Sequence, residues 1–344
     1  MKINNVLSLF DGIGCGIQSL KDSNIKFGKY YASEVDPHTI KISTHNHPEI
    51  IQVGDVRNLI GKDFKKIDLL MGGSPCQNFS FCGTRKGMVT KEGIEITTLE
   101  QYLQLKDEGF QFQGQSYLFW EFIRLLKELQ PKYFLLENVR MDKKWEDLIT
   151  SITGVEPMKI NSSSLVPQNR FRNYWTNISV EEITGKGPVL SDFIRQAVTG
   201  VGYRGVQDPN KPIKNGKIGY TVRMQVRKDN IANAILTEVG NAQSKNGTGH
   251  YLTVDGTVKT FKSAECEILQ GLPNGYTDVP GVSENKRIHG LGNGWTVPVI
   301  SYIFSFIKPT VGSRKNPTWE ERQEFEKERS GQPAAPWSHV PQGW

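Results

Sequence analysis

Short apolar runs that stop at glycine or at an acidic residue are the feature of this chain that most limits its fold. Five such runs lie in the first 140 residues, and helical patterns separate several of them. In the stretch 116–129 apolar residues recur at helical spacing, with Ser116 as a candidate cap and Pro131 just past the end. Strands that alternate with helices predict an α/β fold with a doubly wound parallel sheet. The runs span residues 5–10, 29–35, 50–56, 67–73 and 132–139.

The residues at the ends of these runs are the first candidates for a functional site. Ligands of doubly wound sheets bind beyond the carboxyl ends of the strands, where the strand order reverses. The sequence therefore predicts that one thiol and several carboxyl groups meet at one edge of the sheet. These end residues are Asp11, Glu34, Asp55, Cys76 and Glu137.

A glycine-rich loop follows the first run and opens a helix. Gly12, Gly14 and Gly16 would let a ligand approach the backbone, and the helix N-terminus offers free N–H groups. Glu34 ends the second run and could accept from both ribose hydroxyls of an adenosine, and Asp55 could accept from an adenine amino group. The glycine spacing is GxGxG, which differs from the GxGxxG of dinucleotide enzymes. We therefore predict an adenosine site; the alternative is a tight turn with two surface acids.

The segment "GGSPCQNFS", residues 72–80, places a cysteine in a loop just past a strand. Pro75 stiffens this loop, and Cys76 is either a small buried hydrophobe or an exposed nucleophile. A nucleophile needs a thiolate and an acid partner. Glu137 in "FLLENV" is a candidate partner, because a carboxyl group in a pocket can donate a proton; the alternative is a solvated strand end.

Polar side chains alternate in "VPQNRFRNYW", residues 166–175. Gln168, Arg170 and Arg172 would share one face of an extended segment. The alternative is the polar face of an edge strand.

The character of the sequence changes after this segment. From about residue 181 to 260 glycine, asparagine and lysine become more frequent and helical periodicity fades, which predicts a smaller, irregular domain of strands and loops. Residues 86–115 are predicted to form an inserted mobile loop. The predicted organisation is a first domain at 1–180, a second domain at 181–262, a return to the first domain at 263–310, and a charged helix with a proline-rich end at 311–344.

Composition narrows the class of protein. A net charge of +6, from 42 basic and 36 acidic residues, permits a polyanionic partner without establishing one. The four cysteines form no CxxC pair, and no histidine cluster has metal-ligand spacing, so no metal site is predicted. No apolar stretch approaches the roughly 20 residues of a membrane span. These features predict a soluble, intracellular protein from a reducing compartment.

Together, eight motifs resemble those of the cytosine-5 DNA methyltransferase family, in the family's order from Val6 to about Ile307. The resemblance is to the bacterial and phage type, and the closing motif is also similar to the animal de novo branch. The motifs are "LFDGIGCG", "SEVD", "GDV", "GSPCQNFS", "ENV", "QNRFR", "SAECEILQGLP" and "GNGWTVPVI".

The resemblance implies a Rossmann-like fold that binds S-adenosylmethionine, with residues 181–262 as a target-recognition domain. Phe10 would stack on the adenine, Glu34 would hold the ribose, and Asp55 would meet the adenine amine. The other implied cofactor contacts are Gly12, Gly14, Gly16, Pro75, Asn293 and Trp295.

The resemblance also implies a covalent mechanism. Adding a thiolate to C6 of cytosine makes C5 nucleophilic, which is the chemical reason for a cysteine. Cys76 would form this bond, and Glu137 would hold the exocyclic amine and N3 of the ring. Arg172, assisted by Arg170, would bind the O2 side.

Cytosine is buried in a duplex, so it must be flipped out of the helix before it reacts. Double-stranded DNA is therefore the implied partner, with the basic residues of the second domain on phosphates or bases; the alternative is a solvated basic surface. The candidate DNA contacts are Ser80, Gln168, Arg204, Arg223 and Arg227.

The first functional hypothesis is an orphan or restriction-linked DNA cytosine-5 methyltransferase, cytoplasmic and associated with the nucleoid. One alternative is a tRNA cytosine-5 methyltransferase, whose usual "CFT" signature is not evident. Another is a non-catalytic DNA-binding regulator on the same scaffold, although this chain keeps both the cysteine and the cofactor loop. A dinucleotide-dependent dehydrogenase would need GxGxxG and a catalytic His or Tyr. The oligomeric state is left open.

Overall fold

A computed structural model describes residues 2–75, 88–207, 220–237 and 249–307. Cys76, Ser80 and the tail at 311–344 lie outside these ranges, as does the side chain of Arg204. The strands are β1 (Lys2–Leu9), β2 (Lys26–Ser33), β3 (Ile50–Gln52), β4 (Leu69–Gly73), β5 (Tyr133–Val139), β6 (Met158–Asn161), β7 (Gln168–Asn169), β8 (Phe171–Thr176), β9 (Ala197–Gln207), β10 (Tyr220–Val226), β11 (Ala232–Asn233), β12 (His250–Thr253) and β13 (Val258–Thr260).

Helices follow most of the first strands. None of the described helices is long and apolar enough to cross a membrane. The helices are α1 (Cys15–Asp22), α2 (Pro37–Asn46), α3 (Leu99–Asp107), α4 (Phe119–Leu129), α5 (Lys143–Thr153), α6 (Ser263–Gln270), α7 (Glu284–Asn293) and α8 (Val297–Ser305).

The central sheet has seven strands in the order β3-β2-β1-β4-β5-β8-β6. The first five in this order pair in parallel, and they are the five apolar runs of the sequence. The predicted α/β fold is therefore confirmed. The sheet is not parallel throughout, because β8 is antiparallel to both β5 and β6. Antiparallel strands can be joined by a short connection, so the chain folds back after β6 and β8 lies between β5 and β6. It is therefore not an edge strand.

Helices cover both faces of the central sheet. Leu7 of β1 and Leu70 of β4 lie in one buried cluster with residues of α4 and α5. Val6 and Leu69, one position earlier on the same strands, lie in a second cluster with residues of α1 and α8. Alternate residues of a strand point to opposite faces, so two helical layers need apolar residues at successive positions. This requirement explains why the strands read as continuous apolar runs.

The predicted mobile loop at 86–115 is wrong over its described part. Residues 99–107 form α3, and isolated bridges join Val89 to Glu95 and Thr90 to Phe112. Five apolar side chains of this segment are buried in the same cluster as α4, so the segment is part of the core. They are Met88, Ile96, Leu99, Tyr102 and Leu105.

The expected cap of the helix at 116–129 also differs. Ser116 begins a short 3₁₀ turn, and α4 starts at Phe119 with no side-chain cap at its N-terminus. Glu121, in the first turn of α4, is fully buried and accepts hydrogen bonds from Tyr102 and Lys106 at 2.6 Å each. These contacts tie α3 to α4.

A second sheet lies within the predicted second domain. Its four strands are antiparallel, in the order β10-β9-β12-β13. The second sheet does not have a separate core, because β11 pairs in parallel with β7 of the predicted first domain. One buried cluster also contains Ile13 and Cys15 of the glycine loop together with Ala197 and Ala232 of the second domain.

Candidate active site

The order of the central sheet places the site between β1 and β4. The chain leaves β1 toward β2 on one side, while β4 and β5 lie on the other, and open sheets bind ligands at such a reversal. Phe10–Gly14 follow β1, and Ser74 and Pro75 follow β4. The glycine loop and the segment that leads to Cys76 therefore lie at the same edge of the sheet.

The glycine loop turns sharply between β1 and α1. Phe10 has a φ of 56°, a value that non-glycine residues adopt rarely, and Gly12 and Gly14 have φ of 59° and 83°. A Cβ added at Gly12 would have no contact nearer than the carbonyl oxygen of Phe10 at 4.0 Å. The backbone at Gly12 therefore faces open space that a ligand could occupy.

The other two glycines of the loop have protein atoms on the side where a Cβ would point. A Cβ at Gly16 would lie 2.5 Å from Cε of Met71 and 2.9 Å from Oη of Tyr30. A Cβ at Gly14 would lie 3.2 Å from Oη of Tyr276. Gly14 and Gly16 thus allow close packing of α1 on its neighbours, and their predicted backbone contact with a cofactor stays a prediction.

Glu34 lies beside Gly12 and is half-buried. Its Oε2 accepts from the N–H of Gly12 at 2.8 Å, and Oε1 accepts from the N–H groups of Val35 at 2.7 Å and Asp36 at 2.9 Å. A carboxylate offers about four acceptor positions, so capacity remains for a further donor. This geometry suits a carboxylate that holds a ribose hydroxyl next to the open space at Gly12.

Asp55, the predicted adenine contact, is bound within its own turn. Both carboxylate oxygens accept from Nε of Arg57, at 3.0 Å each, and Oδ1 also accepts from the Arg57 N–H at 2.9 Å. The hydrogen bond from Arg57 lowers the pKa of Asp55. An adenine amine at Asp55 would therefore bind an ionised carboxylate that Arg57 already holds.

Asp11 is buried beneath the glycine loop. Its Oδ1 accepts from Oη of Tyr30 at 2.6 Å, and Oδ2 has no hydrogen-bond partner among the described residues. Burial raises the pKa of Asp11 from 3.8 to about 6, although the hydrogen bond from Tyr30 opposes the increase.

We expect Asp11 to make stability depend on pH. In an unfolded chain its pKa is about 4, so between about pH 4 and pH 6 the native state binds more protons at this position and the free energy of unfolding falls as pH rises. The stability of Asp11→Asn relative to wild type should therefore increase by about 2 kcal/mol between pH 4 and pH 8. Urea unfolding at a series of pH values measures this. Asp22→Asn, at the exposed end of α1, is the control, and a pH-independent difference for Asp11→Asn would contradict the expectation.

Glu137 lies at the end of β5 and is held at both carboxylate oxygens. Nε of Arg172 lies 2.9 Å from Oε1, and Nε1 of Trp295 donates to Oε2 at 3.1 Å. Only 9% of the Glu137 residue is exposed. The pairing of β5 with β8 accounts for the first contact, because Arg172 lies opposite Val139, two residues beyond Glu137. Trp295, predicted as a cofactor contact, is here a partner of the candidate acid.

The sequence analysis missed the role of Gly73. Gly73 pairs with Glu137 across β4 and β5, and a Cβ there would lie 2.8 Å from both Oε2 of Glu137 and Nε1 of Trp295. The absence of a side chain leaves the space in which Glu137 and Trp295 meet. The doubled glycine before "SPC" was the available signal.

We expect Gly73→Ala to fold but to lose activity. The added methyl group displaces Glu137 and Trp295, and a shift of about 1 Å in a reacting group can lower turnover about a hundredfold. Steady-state kcat checks this, with thermal unfolding as the test of fold. In a Trp295→Phe background the same substitution should cost less, because the crowded Nε1 is gone. Equal losses in both backgrounds would show that Gly73 does not act through Trp295.

Asn138, next to Glu137, is a second missed residue. Its Nδ2 donates to the carbonyl oxygen of Ser74 at 3.2 Å and to Oγ of Ser74 at 3.1 Å. Asn138 is buried, so these bonds fix the position of Ser74, two residues before Cys76. The adjacent Glu-Asn pair of "ENV" therefore has two roles, one for the carboxyl group and one for the loop after β4.

Gln168 and Arg170 lie on one side of this segment, since both bind the main chain of Ile235, while Arg172 binds Glu137. Gln168 is buried; its amide donates to the carbonyl oxygen of Leu269 at 2.7 Å and accepts from the N–H of Ile235 at 3.0 Å. Gln168 therefore cannot contact DNA in this structure, which corrects that expectation. The cause is a change of pairing, since β7 pairs with β11 while β8 joins the central sheet.

Arg170 is also committed to the protein. Its guanidinium donates to the carbonyl oxygens of Ile235 at 2.9 Å, Gly292 at 2.9 Å and Gly294 at 3.0 Å, and only 3% of the residue is exposed. The expected help of Arg170 at the cytosine O2 is therefore replaced by a structural role, and Arg172 alone of this motif reaches Glu137. The contacts to Gly292 and Gly294 hold the segment between them, which includes the exposed Asn293.

The candidate DNA contacts in the second domain divide into two kinds. Arg223 of β10 is exposed and pairs in register with Arg204 of β9. Arg227 instead donates to Oδ1 of Asp229 at 2.8 Å and to Oδ1 of Asn233 at 3.0 Å, so its charge is compensated locally. Arg223 therefore remains the better candidate for a phosphate.

The described cysteines are unsuited to nucleophilic chemistry. Cys15 and Cys266 are buried, and burial raises the pKa of the Cys15 thiol to about 12. Burial likewise raises the pKa of Cys266. In the part of the chain that the structure covers, no group of three or more His, Cys, Asp or Glu side chains is placed to hold a metal ion.

Comparison with known proteins agrees with this arrangement. Residues 4–147 match the sequence profile of the C-5 cytosine-specific DNA methylase family. The chain is 36% identical over 137 residues to the orphan methyltransferase M.Rho11sI of Bacillus phage rho11s, which covers 39% of this chain and 23% of that protein. It is 27% identical over 328 residues to the orphan methyltransferase M.SPBetaI of Bacillus phage SPbeta, which covers 83% of this chain and 68% of that protein.

The fold has solved counterparts. The crystal structure of a Spodoptera frugiperda DNMT2 mutant matches with a TM-score of 0.61 at 16% identity, over 88% of this chain and 99% of that one. The matched segment of M.Rho11sI is about a quarter of that protein, and the family match at residues 4–147 includes the glycine loop, Pro75 and Glu137. Residues 4–147 thus carry the signature of the C-5 cytosine-specific DNA methylases, and most of the chain is similar to a phage orphan methyltransferase.

Proposed function

We propose that this protein transfers a methyl group from S-adenosylmethionine to C5 of a flipped-out cytosine in duplex DNA. The observation that carries the proposal is the position of Glu137. Its carboxylate is fixed by Arg172 and Trp295 at the end of β5, directly across from Gly73, and the chain after Gly73 leads to Cys76 within three residues. An acid and a thiol on adjacent strand ends are the pair that cytosine addition needs.

The residues around Gly12 fit an S-adenosylmethionine molecule. Open space lies over Gly12, and Glu34 beside it keeps acceptor capacity for a ribose hydroxyl. Phe10 is half-buried and lies two residues before Gly12, so its ring is the candidate to stack on adenine. When bound, the cofactor supplies an electrophilic methyl group. Gly12, Glu34 and Phe10 would hold it, with Asp55 at the adenine end.

The chain's own residues perform the activation of the base. Cys76 adds through Sγ to C6 of the cytosine, and the electron pair released into the ring makes C5 nucleophilic. Glu137 binds the exocyclic amine and N3, so that negative charge does not accumulate on the ring as the thiolate adds. Arg172 keeps the Glu137 carboxyl group in place and presents its guanidinium to the O2 side of the ring. Trp295 holds the opposite carboxylate oxygen.

Duplex DNA is the proposed partner. Arg223 is exposed on the second sheet, in register with position 204, and can meet the phosphates of a helix. We infer that residues 181–262 recognise the target sequence, and that the enzyme is an orphan or restriction-linked methyltransferase that acts at the nucleoid, in the cytoplasm of a bacterial or phage-infected cell.

Methylation of a mixed-sequence plasmid tests the proposal. The purified protein is incubated with the plasmid and, in parallel, with a tRNA pool, each with S-adenosylmethionine labelled on its methyl group; bisulfite sequencing then locates methylated cytosines. We expect label in DNA at cytosines of one short sequence. Label in tRNA without label in DNA would establish the tRNA alternative. Binding of S-adenosylmethionine and DNA without any transfer would establish a non-catalytic regulator.

A further inference from the structure

An exposed aromatic ring lies at the edge of the site with an arginine over it. Phe171, the first residue of β8, is 43% exposed. The guanidinium carbon of Arg140 lies 5.7 Å from the centre of this ring, which is the geometry of a cation–π contact. The ring of Phe171 is therefore at the surface, where it can hold the Arg140 side chain in place.

The register of β5 and β8 places this pair next to Glu137. Val139 lies opposite Arg172, and Arg140 and Phe171 are the next residues at the same end of the two strands. Arg172 is bound to Glu137 at 2.9 Å. Arg140 and Phe171 therefore lie just beyond the candidate acid, at the edge of the sheet where the cytosine must enter.

The charge of Arg140 is uncompensated within the described residues, whereas the cations around it are paired. Lys144 lies 2.6 Å from Glu95, and Lys159 lies 2.7 Å from Glu146. Lys144 makes a useful contrast, because its Nζ also lies over an aromatic ring, that of Trp145, at 5.1 Å. Of these two cation–π pairs, only that of Arg140 and Phe171 lacks an acidic partner within the described residues.

The chemistry of a stacked guanidinium indicates its ligand. A ring beneath the plane fixes the side chain and leaves the N–H groups at the guanidinium edge free to point outward. These groups match two oxygens of a phosphate, and a DNA duplex presents phosphates wherever a base is flipped out. A base edge would be a less suitable ligand, because Arg140 and Phe171 lie at the rim of the site, where the backbone of the duplex passes.

We propose that Arg140, held by the ring of Phe171, binds a backbone phosphate of the DNA beside the flipped cytosine. This inference rests on the proposed function. It adds a phosphate contact that none of the candidate DNA residues supplies, on the catalytic domain and not on the second sheet.

The salt dependence of DNA binding tests this inference. Each phosphate contact contributes about 0.9 to the slope of log Kd against log of salt concentration for duplex DNA. We expect Arg140→Gln to lower that slope by about 0.9 and to weaken binding roughly tenfold at low salt, equally on duplexes of different sequence. Arg140→Lys should keep the slope but bind more weakly than wild type, and Phe171→Leu should do the same, because both keep the charge and lose the stacked geometry. Lys144→Gln is the matched control and should leave the slope unchanged.

The outcomes separate this inference from the proposed function. A wild-type protein that neither binds nor methylates DNA overturns both. A wild-type protein that methylates DNA, combined with an unchanged slope in Arg140→Gln, overturns the phosphate contact and leaves the proposed function standing. A change in the methylated sequence with an unchanged slope would show that Arg140 reads a base, which also overturns it.

Discussion

Replacing Glu137 by glutamine is expected to lower kcat for DNA methylation by roughly 10²- to 10⁴-fold. Glutamine has nearly the same shape, so its amide oxygen can still accept from Trp295 or Arg172. It cannot carry the negative charge that binds a protonated N3, and it cannot exchange a proton with the ring. The loss should therefore appear in the chemical step, measured as single-turnover methyl transfer, and much less in the affinity for DNA.

The free energy of unfolding of Glu137→Gln should change little in comparison with its kcat. Arg172 loses its charged partner while its side chain is largely buried, which costs about 1–3 kcal/mol of unfolding free energy. Glu146→Gln is a matched control, because Glu146 is also a largely buried carboxylate, paired with Lys159 at 2.7 Å, but on α5 away from Trp295. Glu146→Gln should therefore keep normal turnover. Turnover of Glu137→Gln within about threefold of wild type would exclude Glu137 as the catalytic acid.

Replacing Cys76 by serine is expected to abolish methyl transfer, with a loss of about 10⁴-fold or more. A serine hydroxyl is a far weaker nucleophile than a thiolate, so the addition to C6 that activates C5 does not occur. Cys76→Ser should also fail to form a trapped covalent adduct with DNA. With a duplex that carries 5-fluorocytosine at the target, the proton at C5 is replaced by fluorine and cannot be removed, so wild-type protein should remain bound covalently after methyl transfer.

Denaturing gel electrophoresis reports the trapped adduct. We expect a shifted band for wild type and none for Cys76→Ser. Cys266→Ala is the control, because Cys266 is a buried thiol of α6 and its removal should leave trapping intact. A covalent adduct with Cys76→Ser, or methylation by wild type without any adduct on the fluorinated duplex, would exclude addition by Cys76.

The two large predictions depend on contacts that are arranged from different parts of the chain. Glu137 comes from β5, Arg172 from β8 and Trp295 from the segment between α7 and α8. The bond between Trp295 and Glu137 joins residues 158 positions apart in the sequence. The late "GNGWTVPVI" motif therefore contacts the candidate acid, which lies in the first half of the chain.

The sequence alone determined the α/β architecture of this protein and the positions where its parallel strands end. Each of the five parallel strands is a local apolar run with a sharp stop, and a parallel sheet brings all their carboxyl ends to one edge. Glu34 and Glu137 could therefore be placed at one edge of the sheet from their positions at strand ends, and the structure has them there. Gly12 was found in the same way, because a turn from strand to helix with positive φ has a clear local signature.

Only the tertiary structure decided which neighbours each side chain meets. Gly14 and Gly16 have the same local pattern as Gly12, but Met71, Tyr30 and Tyr276 fill the space beside them. Arg170 and Arg172 occupy alternate positions of the same motif. The Arg170 guanidinium, however, donates to carbonyl groups more than 120 residues later in the chain.

The burial of residues 88–115 and the space left by Gly73 likewise could not be predicted from the local sequence. Burial and close approach depend on which distant atoms occupy the adjacent space, and no local periodicity records that. The pattern of apolar residues specified where the strands end. The packing of distant segments against those ends specified which of the residues there hold the structure together and which remain free for chemistry.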